Sequence, residues 1–167
     1  YQASKMEDEQ RQYLIKAKKI GEELHNQKIL CLTNRDLGII YNNNKQPDSA
    51  LAYYKESLSH YKNSPYITGL GNLYQLIGEQ YASKQLYDSS LIYLKKAISI
   101  NIKANELISL SLTDYSISRV FQDLNQPDST LQYTLKGVEV AKSIDNKQNL
   151  SIGFLQLSAI YKSLNKP

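Results

Sequence analysis

The chain has 167 residues, 41% hydrophobic and 22% charged, with a net charge of +4. That length suits one domain, no apolar run is long enough to span a bilayer, and a single cysteine excludes an internal disulfide. The positive excess is mild and spread over many lysines, so no nucleic-acid partner is expected. The densest cluster, Lys16, Lys18 and Lys19, reads as a solvated helix face.

Apolar spacing predicts helices, in chain order, over 5–24, 27–43, 47–63, 66–84, 87–103, 106–124, 127–144 and 147–164. The first carries Asp8, Tyr13, Ala17 and the lysine cluster. The second carries Leu37, Gly38 and Tyr41 and runs into Asn42-Asn43-Asn44-Lys45-Gln46-Pro47, a stretch that proline closes. Pro47 can open the third helix, where an N–H would lack a partner anyway. In the fourth, Leu70, Leu73, Tyr74, Ile77 and Tyr81 follow the spacing of one helix face. In the fifth, Tyr87, Leu91, Leu94, Ile98 and Ile102 form a second stripe. The sixth ends at Asn125-Gln126-Pro127, and the last two repeat the alternation. Asp48, Asp88 and Asp128 stand at helix starts, where they are expected to cap free N–H groups and meet the positive end of the helix dipole. No segment alternates with period two for long enough to argue a strand.

These elements recur every 40 residues. Asp8, Asp48, Asp88 and Asp128 keep the step, as do Tyr13, Tyr53, Tyr93 and Tyr133, and Tyr1, Tyr41, Tyr81, Phe121 and Tyr161. A fixed period in this range marks a solenoid. The expected organisation is one array: a partial unit at 1–26, repeats at 27–65, 66–105 and 106–146, and a partial repeat at 147–167. Tyr1 is in phase with Tyr41, and Pro167 with Pro47 and Pro127, so both ends fall inside a repeat. This suggests a fragment of a longer protein. Atypical end caps are the alternative, but Phe154, Leu155, Leu157 and Ile160 are more apolar than a cap requires.

Each unit resembles a tetratricopeptide repeat. The first helices read Leu37-Gly38 with Tyr41; Tyr74, Ile77-Gly78 with Tyr81; Ile117-Ser118 with Phe121; and Phe154, Leu157-Ser158 with Tyr161. The second helices read Ala50, Tyr54, Ser57; Ser90, Leu94, Ala97; and Thr130, Thr134, Gly137. The third unit departs most, with Asp114, Thr130 and Thr134 where the family prefers large, small and aromatic side chains. The family period is 34 residues. A step of 40 is similar to the longer form in kinesin light chains and bacterial regulators. The resemblance implies an all-α fold, a right-handed α-α superhelix of antiparallel helix hairpins. In it, Gly38 should face Ala50 and Gly78 should face Ser90, small residues that let paired helices approach.

The resemblance also implies that first helices line a concave groove. Its partner-binding candidates here are Arg35, Asn42, Asn72, Gln75, Glu79, Tyr115, Arg119 and Gln122. The Lys and Asn clamp of chaperone-tail binders is absent, since the matching places hold Arg35, Ile39, Gln75 and Glu79.

Nothing in the sequence argues for catalysis. There is no Gly-rich phosphate loop, H-E-x-x-H or Ser-His-Asp order, and no cofactor is implied. His25 and His60 lack the neighbours of a metal site, and Cys31, in phase with Gly71, Ser111 and Ser151, reads as a small packing residue. The expected function is a scaffold that binds a peptide or protein partner in the groove. The alternative is a sensory or regulatory segment of a larger bacterial signalling protein, such as a transcriptional regulator or histidine kinase. Neither compartment, cytoplasm or periplasm, is indicated.

Overall fold

The structure is a computed structural model that describes residues 2–62 and 66–164, with side chains from residue 6 onward. The positions of Tyr1 and Pro167 used to phase the ends lie outside the described residues. Among those residues there are eight helices: α1 (Gln2–Glu23), α2 (Gln27–Asn43), α3 (Pro47–Lys62), α4 (Leu70–Ser83), α5 (Tyr87–Ala104), α6 (Leu107–Asp123), α7 (Pro127–Ser143) and α8 (Lys147–Leu164). No strand occurs among them.

Most expected boundaries hold within two or three residues. The exception is α4, expected from 66 but starting at Leu70. Gly69 precedes it with φ 79, a left-handed conformation open to glycine, and this turns the chain away from the helical path. The Gly69 N–H is held by the Glu106 carboxylate at 2.9 Å.

Six helix-to-helix turns share one device. His25, Lys45, Gln85, Asn105, Asn125 and Asp145 all have φ between 48° and 59°. At each, the residue's own N–H bonds the carbonyl three back, and the next N–H bonds the carbonyl five back. At the α2 end these are Lys45 to Asn42, 3.0 Å, and Gln46 to Tyr41, 2.9 Å. This paired closure satisfies carbonyls that a helix end leaves open. The expected aspartate caps require a correction. Asp88 and Asp128 sit one residue inside their helices and make no capping bond, although they still meet the positive end of the dipole. Capping by side chain falls instead to asparagines before first helices: Asn26 accepts from the Ile29 N–H at 3.1 Å, and Asn146 from the Asn149 N–H at 2.8 Å.

The chain divides into two compact units, residues 1–67 and 68–167. In the first, α2 packs along α3, with Leu30, Leu37, Ile40, Ala50, Leu51, Tyr54 and Tyr61 buried. Cys31 is buried there too. Its carbonyl accepts from the Ser57 hydroxyl at 2.7 Å, and burial pushes its thiol up to about 11, as a packing role requires. In the second unit, α4 pairs with α5 and α6 with α7, and α8 packs on α7. Its core centres on Leu94, Ile117 and Val120, with Ala82, Tyr87, Leu91, Ile98, Phe121, Leu124 and Tyr133 around them. Successive first helices touch, α4 with α6 and α6 with α8, whereas α5 and α7 have at most marginal contact. Within this unit the first helices therefore form the tighter side.

Small residues set the spacing inside each hairpin. A Cβ on Gly38 would meet the Tyr54 ring and approach the Ala50 carbonyl to 3.2 Å. A Cβ on Gly78 would lie 2.8 Å from Leu94 Cγ and 3.2 Å from the Ser90 carbonyl. The expected facings of Gly38 with Ala50 and Gly78 with Ser90 are thus made through backbone carbonyls. In the hairpin of α6 and α7 the place is taken by Ser118. Its hydroxyl reaches the Thr130 carbonyl at 2.9 Å and Thr134 Oγ1 at 2.6 Å. The departures Thr130 and Thr134 are accommodated by these bonds: Thr134 is smaller than Tyr54 or Leu94 and leaves room for Ser118.

Candidate functional site

The exposed face of α4 and α6, the tighter side of the second unit, holds a connected polar network. Gln75 and Glu79 lie one turn apart on α4, and Ser116 and Arg119 one turn apart on α6, a spacing that puts each pair on one helix face. Gln75 donates through Nε2 to Glu79 Oε1 at 3.0 Å and to Ser116 Oγ at 3.3 Å. The Ser116 hydroxyl donates to the same Glu79 oxygen at 2.6 Å, and Arg119 reaches it at 3.2 Å. One carboxylate oxygen therefore collects three donors. Below it, the Thr113 hydroxyl contacts Gln75 Oε1 at 3.1 Å and accepts from Asn101 Nδ2 at 3.2 Å, which ties the network to α5.

This arrangement has a rigid base and an open top. Gln75 is 8% exposed, while the side chains of Glu79 and Arg119 are 31% and 59% exposed. Arg119 uses one terminal nitrogen for its bonds to Glu79 and Ser116, so most of its planar donor set faces outward. An arginine pinned in this way can present donors to a carboxylate or to backbone carbonyls with little further ordering.

The other candidate residues are placed differently. Asn72 lies half-buried on α4, and Gln122 is exposed at the end of α6, beside Asn125, Gln126, Ile160 and Ser163. Arg35 and Asn42 belong to α2 in the first unit. Arg35 turns to its neighbour Asp36, which it holds at 2.8 Å, and Asn42 is exposed in the last turn. Tyr115 needs a correction, because it is not a surface residue. It is 2% exposed, and its hydroxyl donates to the Asn149 carbonyl at 3.0 Å. Its ring fills the space left by Gly137 and Gly153, where any Cβ would strike it. Burial pushes its phenol up to about 12, with the Asp114 charge adding to the rise.

Ser116 and Thr113 are members of this network that the sequence reading passed over. Their signal was spacing alone: Ser116 stands one turn before Arg119, and Thr113 one turn before Ser116. Lys18, from the lysine cluster, is bound to Glu56 at 2.8 Å and lies over the Tyr53 ring. Among the described residues no group of three His, Cys, Asp or Glu side chains could hold a metal ion, and no helix is long and apolar enough to cross a membrane.

No protein-family model and no curated protein matches the chain. Solved structures do. BtubC (BKLC) from P. vanneervenii superposes with a TM-score of 0.78 at 14% identity, over 96% of this chain and 67% of that one. The apo form of RapI gives 0.80 at 12% identity, over 96% of this chain. A kinesin light chain repeat protein from Podosopora anserina gives 0.63 at 13% identity, over 99% of this chain and 92% of its own. The chain spans about two thirds of BtubC and 45% of RapI. These neighbours, the 40-residue period and the hairpin packing agree on the fold: a helical repeat of the tetratricopeptide type.

Proposed function

We propose that this protein is a protein-interaction scaffold that binds an extended peptide or a partner protein on the face formed by its first helices. The observation that carries this reading is the Gln75–Glu79–Ser116–Arg119 network, a built polar surface on a buried base with an outward-facing guanidinium. Arg119 is held by Glu79 on the adjoining helix and by Ser116 one turn back on its own, more than solvation alone requires of a surface arginine. Asn72 and Gln122 extend the same reading along α4 and α6; Arg35 and Asn42 are proposed contacts of α2, within the first unit. The register of 40 runs through both units without a slip, which supports counting them as one array. The surface offers recognition by hydrogen bonds and charge, and no feature of it argues for catalysis.

A second reading is a regulatory segment of a larger bacterial signalling protein. It is favoured by a Rap conjugation gene regulator of plasmid pLS20, solved in complex with the Phr* peptide, which superposes at TM-score 0.73 and 14% identity over 87% of this chain. The chain spans 41% of that regulator.

Selection of displayed peptides against the purified chain, followed by fluorescence anisotropy, tests the first reading. Arg119→Ala is expected to weaken selected peptides about tenfold or more, as a central arginine contact does. Replacement of Lys16, Lys18 and Lys19 by glutamine should change affinity little beyond a salt-sensitive part. Loss confined to the lysine set would move the binding surface to α1 and overturn the reading.

A further inference from the structure

On the opposite side of the second unit, a cavity of about 470 Å³ opens between α5 and α7 over the back of α6. Ile98 and Ile102 from α5, Leu110 from α6, and Tyr133 and Val140 from α7 give it apolar walls. Asp114 is among its lining residues and is only 4% exposed. Among the described residues it makes no hydrogen bond or ion pair.

The repeat explains why the space exists. Forty residues earlier the same position is Tyr74, whose ring packs against Tyr93 with centroids 6.1 Å apart, under Lys96. Tyr133 and Lys136 are the in-phase equivalents of Tyr93 and Lys96, and Lys136 stands 4.7 Å over the Tyr133 ring. The frame of an aromatic site is therefore intact around Asp114, but the ring that fills it one repeat earlier is missing. In its place stands a carboxylate on the cavity wall, with the Lys136 charge acting on it and no hydrogen-bond donor from the protein among the described residues.

We infer that this cavity is a binding site for a small amine carrying an aromatic ring, the ring lying where the Tyr74 side chain lies one repeat earlier and the ammonium reaching Asp114. The volume is of the size that small-molecule sites have. Burial pushes the Asp114 carboxyl up to about 6, against the pull of Lys136, because its charged form is poorly solvated and would gain from a cationic partner. The other titratable groups lining the cavity are Lys95 from α5 and Tyr133, Lys136 and Glu139 from α7.

Calorimetric titration of the whole chain with 2-phenylethylamine at neutral pH tests the inference, with 2-phenylethanol as the uncharged match. The amine is expected to bind saturably, and at least about tenfold more tightly than the alcohol. Asp114→Asn should lose about tenfold or more. Asp114→Tyr, which restores the ring of the preceding repeat, should abolish binding and raise the melting temperature. Val140→Phe, which fills the cavity from α7, is the second blocking variant should Asp114→Tyr not fold. Amine binding should also fall as pH drops through the range near 6. Equal affinity for amine and alcohol, unchanged binding by the blocking variants, or no saturable amine binding by the native chain would each overturn the site.

Discussion

The rings of Tyr41 and Tyr53 stack, with centroids 5.0 Å apart and planes 12° from parallel. The same pair recurs at each interior step: Tyr81 with Tyr93 at 5.3 Å and 15°, and Phe121 with Tyr133 at 5.5 Å and 22°. All six rings are half-buried. Tyr13 and Tyr161, in phase with them, are 68% and 50% exposed. The stacking position for Tyr13 is Tyr1, outside the described residues.

A repeated contact should have a repeated energy. Double-mutant cycles with leucine at Tyr41 and Tyr53, and at Tyr81 and Tyr93, are expected to give coupling of about 0.5–1.5 kcal/mol each in urea unfolding. Couplings at the two stacks that differ in sign would show that the repeat equivalence is geometric only.

The small-residue positions allow a sharper test, because each is matched to its neighbour on the paired helix. Gly78→Leu places atoms against Leu94 and is expected to cost about 1–3 kcal/mol. Thr134→Leu should be similarly harmful, since Ser118 occupies that space. The double change Ser118→Gly with Thr134→Leu copies the Gly78–Leu94 pair and should recover much of the loss. Thermal melts of the three variants decide it, and a double variant no better than Thr134→Leu alone would refute the matching.

Tyr115 separates packing from binding. Tyr115→Phe removes only the bond to the Asn149 carbonyl and is expected to cost about 1 kcal/mol. Tyr115→Ala leaves a cavity beside Gly137 and Gly153 and should cost about 3–5 kcal/mol. Peptide binding should survive Tyr115→Phe unchanged. A selective loss of binding in that variant, with stability intact, would return Tyr115 to the interaction surface.

Asp114 is expected to make the chain's stability depend on pH. Its carboxyl is raised from 3.8 to about 6 in the fold, so between those values the folded state holds a proton that the unfolded chain releases. Stability is therefore greatest below the unfolded value and falls as pH rises through about 6, by on the order of 2 kcal/mol given the cavity's access to solvent. Asp114→Asn should flatten this part of the profile. Urea unfolding from pH 4 to 7.5 measures it, and an identical slope in Asp114→Asn would place the dependence elsewhere.

The fold was legible because its signals are periodic. Apolar stripes and prolines fixed α2, α3, α7 and α8 closely, since helix faces and stops are written in local sequence. The start of α4 was not legible, because it depends on the conformation of Gly69 and its bond to Glu106, 37 residues away. The candidate surface was half legible. Gln75, Glu79 and Arg119 came from the tetratricopeptide resemblance, and the structure brings them together. Tyr115 shares their register but points into the core, because Gly137 and Gly153 open a slot for its ring that only tertiary packing reveals. Asp114 was visible as a departure from pattern, while the cavity it leaves needed the neighbouring helices.

Near-identical backbone closures at Lys45, Gln85 and Asn125 make the corners of the chain interchangeable, since they rely on main-chain bonds that differ by a few tenths of an ångström and not on shared side chains. The matched pairs Gly38 with Tyr54, Gly78 with Leu94 and Ser118 with Thr134 are not interchangeable one member at a time. Length change by loss or gain of a segment is thus tolerated only where the joint falls between hairpins, as at Asn105 or Asp145. A joint at Gln85 or Asn125 would set Gly78 against Thr134, or Ser118 against a large residue. The unit in which such a chain can grow or shrink is the hairpin, never the helix.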